Sequence, residues 1–142
     1  MHYYAVIDTN VLVSAMLKDL SVPAQIADEA VLGDIIPLLC DEIIAEYRQV
    51  LARDKFKFNQ EKVDILIDGL IERGIFMDAL PVEETIPDSK DVVFYEIVME
   101  GRKDLEDAYL VTGNIKHFPV KPFVVTPKEM LDILRNKFDE RG

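Results

Sequence analysis

Cysteine is almost absent from this chain, long apolar runs are missing, and basic residues are outnumbered by acids. The lone Cys40 has no internal partner for a disulfide, which fits a reducing cytoplasm and a role as a small core residue. No apolar stretch approaches the roughly 20 residues needed to span a bilayer. The N-terminus carries no basic start followed by a long apolar segment, so the reading predicts no signal peptide. Internal repeats, low-complexity tracts and flexible linkers are lacking as well. Lys and Arg total 16 against 27 Asp and Glu, a formal net charge of −11. Such a surface repels nucleic acid unless its cations cluster or metal ions intervene, so charge alone favours a protein partner or a cation site. It does not exclude a nuclease, because a site built from carboxylates adds to the same imbalance.

What is present describes one domain. The 142 residues are 49% hydrophobic and 30% charged, enough for one good core and too few for two ordinary domains. The expectation is a single domain over residues 1–142. Its organising stretch is Tyr3-Tyr4-Ala5-Val6-Ile7-Asp8-Thr9-Asn10-Val11-Leu12. A continuous apolar run that ends in an acid suits a strand buried on both faces of a parallel sheet. Thr9 and Asn10 are good caps for a helix that follows at once. Asp8 is thereby placed at the carboxyl end of a central strand, where open α/β sheets hold their ligands.

Apolar residues then alternate between strand-like runs and helical spacing. A helix through Val11, Leu12, Ala15 and Met16 is predicted to end near Lys18, and Ser21 is predicted to cap a second that stops at Gly33. Residues 35–40 read as a strand despite Pro37, which cannot donate to a sheet ladder. Asp41 is read as the cap of a helix with the stripe Ile43, Ile44, Tyr47, Val50 and Leu51. Residues 55–58 form a basic and aromatic connector, and Asn59 caps the next helix, which Gly74 ends. Residues 75–77 suggest a short strand, 79–90 a loop, and Val93, Phe94, Ile97 and Val98 a helix stopping at Gly101. Residues 108–112 and 122–125 read as two further strands, and Thr126 with Pro127 opens a last helix. This alternation predicts a three-layer α/β/α domain around a mainly parallel sheet of about five strands.

Four places carry candidate chemistry, and each also has a purely structural explanation. Asp8 suits a helix cap as well as a catalytic acid. Glu46 lies about 100° around its helix from Tyr47, on the flank of the buried face, where it either leans over the sheet edge or is solvated. Asp88 and Asp91 resemble a capping box at a helix start, and Asp91 could equally aim past the helix into the strand-end crevice. Thr112-Gly113-Asn114 follows a strand as Asp8 does, with Gly permitting close backbone approach and Thr and Asn offering neutral oxygens. It also suits a turn. Their joint placement is what argues for a site. Carboxylates gathered in one crevice need protons or a cation at neutral pH, and oxygen ligands without His or Cys select hard ions such as Mg²⁺ or Mn²⁺.

The pattern resembles PIN domains, the ribonuclease fold of many prokaryotic toxin–antitoxin toxins. Asp8-Thr9-Asn10-Val11-Leu12-Val13-Ser14-Ala15 looks like their opening, and Ile44-Ala45-Glu46-Tyr47-Arg48-Gln49-Val50-Leu51 like their second acidic motif. Pro87-Asp88-Ser89-Lys90-Asp91 resembles the third, and Leu110-Val111-Thr112-Gly113-Asn114, continuing through Lys116-His117-Phe118-Pro119, the fourth. Val125-Thr126-Pro127-Lys128-Glu129-Met130-Leu131 is similar to the ending of one toxin branch. The resemblance spans nearly the whole chain in order. It departs at Asn114, where many PIN domains carry an aspartate; one charge is lost, which disfavours a second metal.

The resemblance implies a metal-dependent endoribonuclease of the cytoplasm. Asp8, Glu46 and Asp91 would hold Mg²⁺ or Mn²⁺, with Asn114, Thr112 or Asn10 positioning water, and cleavage would leave a 5′-phosphate and a 3′-hydroxyl. Arg48, Arg102, Lys103, Lys116 and Lys121 are the candidate RNA contacts. The family implies a cognate antitoxin and a homodimer as partners. The rival of another class is a PIN-fold binding module with little cleavage, favoured by Asn114 and the acidic charge. A receiver domain would open with adjacent acids where Asp8 is followed by Thr9 and Asn10, and a haloacid-type phosphatase would want an acid at Asn10.

Overall fold

The computed structural model describes the backbone of residues 2–141 and the side chains of residues 2–136. In chain order the elements are β1 (Tyr3–Ile7), α1 (Thr9–Leu17), α2 (Val22–Leu32), β2 (Ile35–Leu39), α3 (Asp41–Leu51), α4 (Gln60–Arg73) and β3 (Ile75–Phe76). They continue with α5 (Val92–Arg102), β4 (Ala108–Val111), a 3₁₀ turn (Ile115–His117), β5 (Val124–Val125) and α6 (Pro127–Arg141). The strands form one sheet in the order β3-β2-β1-β4-β5. Every pairing is parallel, which sharpens the expected mainly parallel sheet.

Parallel strands need crossovers, and right-handed crossovers decide the layers. The chain moves from β1 to β2 to β3 in one direction, so the helices of those connections share a face, and α2 and α4 both pack on β2. It then returns through α5 to β4 on the other side of β1, and α5 covers β1, β2 and β4. α6 closes the first layer against α2 and β5. The sheet is therefore buried from both sides, and Ala5, Val6, Ile7, Leu38, Leu39, Leu110 and Val111 are essentially inaccessible. That double burial is why these strands read as unbroken apolar runs.

Pro37 sits inside β2 without breaking it. The amide of Tyr3 donates to Asp34 O, and alternate residues of a parallel strand address alternate neighbours, so Ile36 and Leu38 face β1. Pro37 faces the other side, where β3 pairs only with Leu38 and Leu39. Its missing N–H therefore costs the ladder nothing.

The local signals at several helix ends hold. Ser21 Oγ accepts from the Ala24 amide, Asn59 Oδ1 accepts from the Glu61 and Lys62 amides, and Gly33 and Gly74 end α2 and α4. Thr126 and Glu129 exchange side-chain and backbone bonds in a full capping box at α6. Three helix starts differ from expectation. Asp8 and Cys40 hold the N-cap positions of α1 and α3, each one residue earlier than the sequence suggests and neither with a side-chain cap bond. α5 begins at Val92 because Asp88 Oδ1 accepts from Lys90 N in a turn of its own, which leaves Asp91 at the N-cap position.

Candidate active site at the carboxyl edge

β1 and β4 are neighbours, and the chain leaves them for opposite halves of the sheet. A crevice opens outside the carboxyl ends at such a switch point. Asp8 follows β1 and Thr112 follows β4. The Asp8 amide donates to Val111 O across 2.9 Å, continuing the ladder by one rung.

Asp8 holds the N-cap position of α1 without making a side-chain cap bond. Its carboxylate instead turns to β4, where the Thr112 hydroxyl donates to Oδ2 at 2.7 Å. Only 6% of Asp8 is exposed. Burial pushes its pKa from 3.8 to about 6, the Asp91 and Glu46 charges push the same way, and the Thr112 hydroxyl and Thr9 amide oppose them.

Thr112 is fully buried and wholly committed. Its amide donates to Val125 O, its hydroxyl donates to Asp8, and the same oxygen accepts from the Asn114 amide at 3.0 Å. It is thus placed to orient Asp8 and has little left for a water. Asn10 ties α1 to the turn after β4, its Oδ1 accepting from the Gly113 amide at 3.1 Å. Gly113 is not there for want of space, because a Cβ would meet Asn10 Oδ1 at an ordinary 3.5 Å. Its contribution is the amide.

Glu46 is half-buried and reaches the same edge, accepting a short hydrogen bond from the Thr9 hydroxyl. Its neighbour Tyr47 points inward and donates to Ile7 O at 2.5 Å, satisfying the last carbonyl of β1 directly before Asp8. Burial, with the Asp8 and Glu46 charges, keeps that phenol protonated. The Tyr47 ring also meets Phe94 of α5, 6.3 Å between centroids, so α3 and α5 are braced against each other near the carboxylates.

Asp91 has 15% of its side chain exposed and lies 3.5 Å from His117 Nδ1. Burial raises its pKa, Asp88 and Glu46 add to the rise, and His117 opposes it. Asn114 is exposed, with its amide bonded to Thr112 and no cap bond from its carboxamide.

The structure thus gathers Asp8, Glu46, Asp91, Asn10, Thr112 and Asn114 around one edge and separates most of the expected RNA contacts from it. Arg102 and Lys103 lie at the opposite, amino edge, the length of α5 from Asp91. There Arg102 donates to Glu106 O and Ala108 O and covers the Phe123 ring at 4.4 Å. Lys103 pairs with Glu100. Arg48 faces α4, 3.9 Å from Asp64 and Asp68, and Lys121 lies 3.9 Å from Glu84. Of the expected contacts, Lys116 is the one exposed beside the crevice, next to His117. Sequence reasoning missed the site's supports: Thr9 holds Glu46, and Tyr47 holds the end of β1. Both residues carried plain structural readings, as cap and core stripe.

The donor chemistry fits a hard divalent ion. The Asp91 and Glu46 charges raise the proton affinity of Asp8, Glu46 also raises that of Asp91, and no thiolate joins them. Among the described residues, however, no three His, Cys, Asp or Glu side chains form a ready-made ligand cluster. A set so spread suits an ion that keeps several waters, as Mg²⁺ does.

A family model described as the PIN domain matches residues 4–116. No curated protein and no solved structure gives a significant match.

Proposed function

The chain belongs to the PIN-domain family, a nuclease-type fold, and from that membership we propose that it is a Mg²⁺- or Mn²⁺-dependent endoribonuclease, the toxin of a type II toxin–antitoxin pair. One observation carries the reading. Asp8 forgoes its helix cap and is held instead, buried, at the strand switch beside two further acids. Burying an acid among like charges is unfavourable by itself and becomes favourable when a cation is held there.

Asp8, Asp91 and Glu46 would hold the ion, which when bound supplies a water of lowered pKa and offsets charge developing on phosphoryl oxygens. The chain's own residues do the rest. Thr112 fixes the direction of the Asp8 carboxylate, Thr9 that of Glu46, and Tyr47 anchors the strand end that carries Asp8. Asn10 and Gly113 clasp the two strand ends. The free carboxamide of Asn114 is available to orient a water or a phosphate oxygen, and Lys116 supplies positive charge alongside. The reading extends to one domain over residues 1–142 acting in the cytoplasm, with RNA as substrate, a cognate antitoxin and a homodimeric assembly as partners. Among the described residues no helix is long and apolar enough to cross a membrane.

The test is cleavage of a mixed RNA pool by the purified protein with Mg²⁺, with Mn²⁺ and with a chelator, beside Asp8→Asn and Asp91→Asn. Metal-dependent cleavage lost in both variants, with their folds intact, is the expected result. A second reading is a PIN-fold module that binds partners without cutting, favoured by Asn114 and the net charge of −11. Function that survives chelation would select it.

A further inference from the structure

The connector between α3 and α4 carries three cations, Arg53, Lys55 and Lys57, that the carboxylate site does not use. We propose that residues 52–59 form a platform on which single-stranded RNA stacks and is held beside the catalytic crevice. The proposal rests on the ribonuclease reading for its purpose, and on the connector's own geometry for its chemistry.

Phe56 and Phe58 stack with centroids 5.1 Å apart and planes only 8° apart. Phe58 packs against the core, so it anchors the pair, while Phe56 is the partly exposed outer plate. The Lys55 ammonium lies over the Phe56 ring, 5.0 Å from its centre, and its exposed, flexible side chain swings aside when a base stacks there. Between the rings, Lys57 adopts φ +54°, a left-handed conformation unfavourable for a residue with a side chain. Turn bonds from Phe56 N to Arg53 O and from Lys57 N to Asp54 O hold it. The bend sets the two rings face to face and leaves Lys55 and Lys57 exposed around them.

Charge points to the occupant. Arg48, Lys103, Lys121 and Lys128 each face a carboxylate, and Arg73 and Arg102 are spent on backbone carbonyls. Arg53, Lys55 and Lys57 have no carboxylate within ion-pairing distance among the described residues, although Asp54 lies between them in sequence. Three unpaired cations around a stacked aromatic pair, on a chain of net charge −11, match a polyanion that also offers flat faces. Unpaired bases on a phosphate backbone have both features.

Position supports the same reading. From Glu46 to the end of α3 at Leu51 is about 7.5 Å of helix rise. α4 runs back from the connector for 14 residues, about 21 Å, to Arg73, which grips the Gly33 carbonyl at the amino edge. The connector therefore stands at the carboxyl side of the sheet, further along the helix that carries Glu46.

The experiment is fluorescence anisotropy of a labelled ten-nucleotide oligouridylate in chelator, so that no cleavage occurs. The proteins are wild type, Phe56→Ala, Phe56→Trp, Lys55→Ala with Lys57→Ala, and Asp8→Asn. The expected loss for Phe56→Ala is roughly 5- to 100-fold, with Phe56→Trp at or above wild type. The double lysine variant should lower the slope of log K against log salt by about 1.4, and Asp8→Asn should bind at least as well as wild type. Melting curves confirm that each variant is folded. Wild-type affinity in Phe56→Ala overturns the platform even where the wild type cleaves RNA, and leaves the ribonuclease reading standing. An RNA-binding platform in a protein that never cleaves separates the two the other way. Equal Phe56 dependence for polyglutamate would also overturn the proposal, since it would make the patch a docking site for acidic protein.

Discussion

The Thr112 hydroxyl donates to Asp8 Oδ2 across 2.7 Å, joining the ends of two strands that are 104 residues apart in sequence. It supplies the main favourable contact of a carboxylate that burial and two neighbouring acids otherwise disfavour. The direction of that carboxylate, and with it the proposed metal site, depends on one hydroxyl.

Thr112→Val removes this bond while keeping the shape. Supporting partners of metal ligands are worth about 10- to 100-fold in affinity, so Mn²⁺ binding by calorimetry should weaken by roughly that factor. Thr112→Ser should recover most of it. Unchanged binding in Thr112→Val would show that Asp8 needs no orienting partner.

The raised pKa of Asp8 makes stability depend on pH in a stated direction. The folded state keeps its proton up to about pH 6, whereas the unfolded state loses it near 3.8. Unfolding between those values releases protons, so this group's contribution falls as pH rises from about 4 to about 6 and stays low above it. The two pKa values correspond to about 3 kcal/mol. Asp8→Asn cannot titrate there, so its stability advantage over wild type should grow by about that amount between pH 4 and pH 7 in chelator. Urea unfolding at the two pH values measures it, and a constant difference would contradict the assignment.

Asn114→Asp restores the charge that the resemblance expects. A fourth carboxylate should tighten Mn²⁺ binding at least about threefold and make the metal-free protein less stable at neutral pH. Calorimetry beside thermal melts reads both. If neither moves, Asn114 lies outside the ion's reach.

Arg102 is a structural residue in spite of its charge. Its guanidinium bonds Ala108 O at 2.6 Å and covers Phe123. Arg102→Ala should cost about 2 kcal/mol in urea unfolding and leave RNA affinity within about twofold. A large loss of RNA binding without loss of stability would return it to the RNA surface.

The parts of this protein legible in its sequence are those decided by neighbours along the chain. The apolar run of β1 and its abrupt end at Asp8 follow from a strand covered on both faces. Ser21, Asn59 and Thr126-Pro127 mark helix starts because capping is a local exchange of hydrogen bonds. Gly33 and Gly74 mark ends for equally local reasons. Five apolar runs alternating with helical patterns were enough to anticipate the layered sheet and to place the acids near one edge.

Tertiary structure decided what depended on distant partners. Whether Asp8 capped α1 or turned to β4 was settled by Thr112, which no periodicity could pair with it. Asp88 took Lys90 instead of Asp91, and that choice moved the start of α5 and left Asp91 facing His117. The cations were the least legible, because a long charged side chain takes whichever carbonyl, ring or carboxylate packing brings within reach. Arg102 found a strand end, Arg48 found α4, and Lys55 and Lys57 found no carboxylate. Local sequence determines the backbone's punctuation; side-chain partners belong to the packed molecule, where burial makes every unsatisfied group costly.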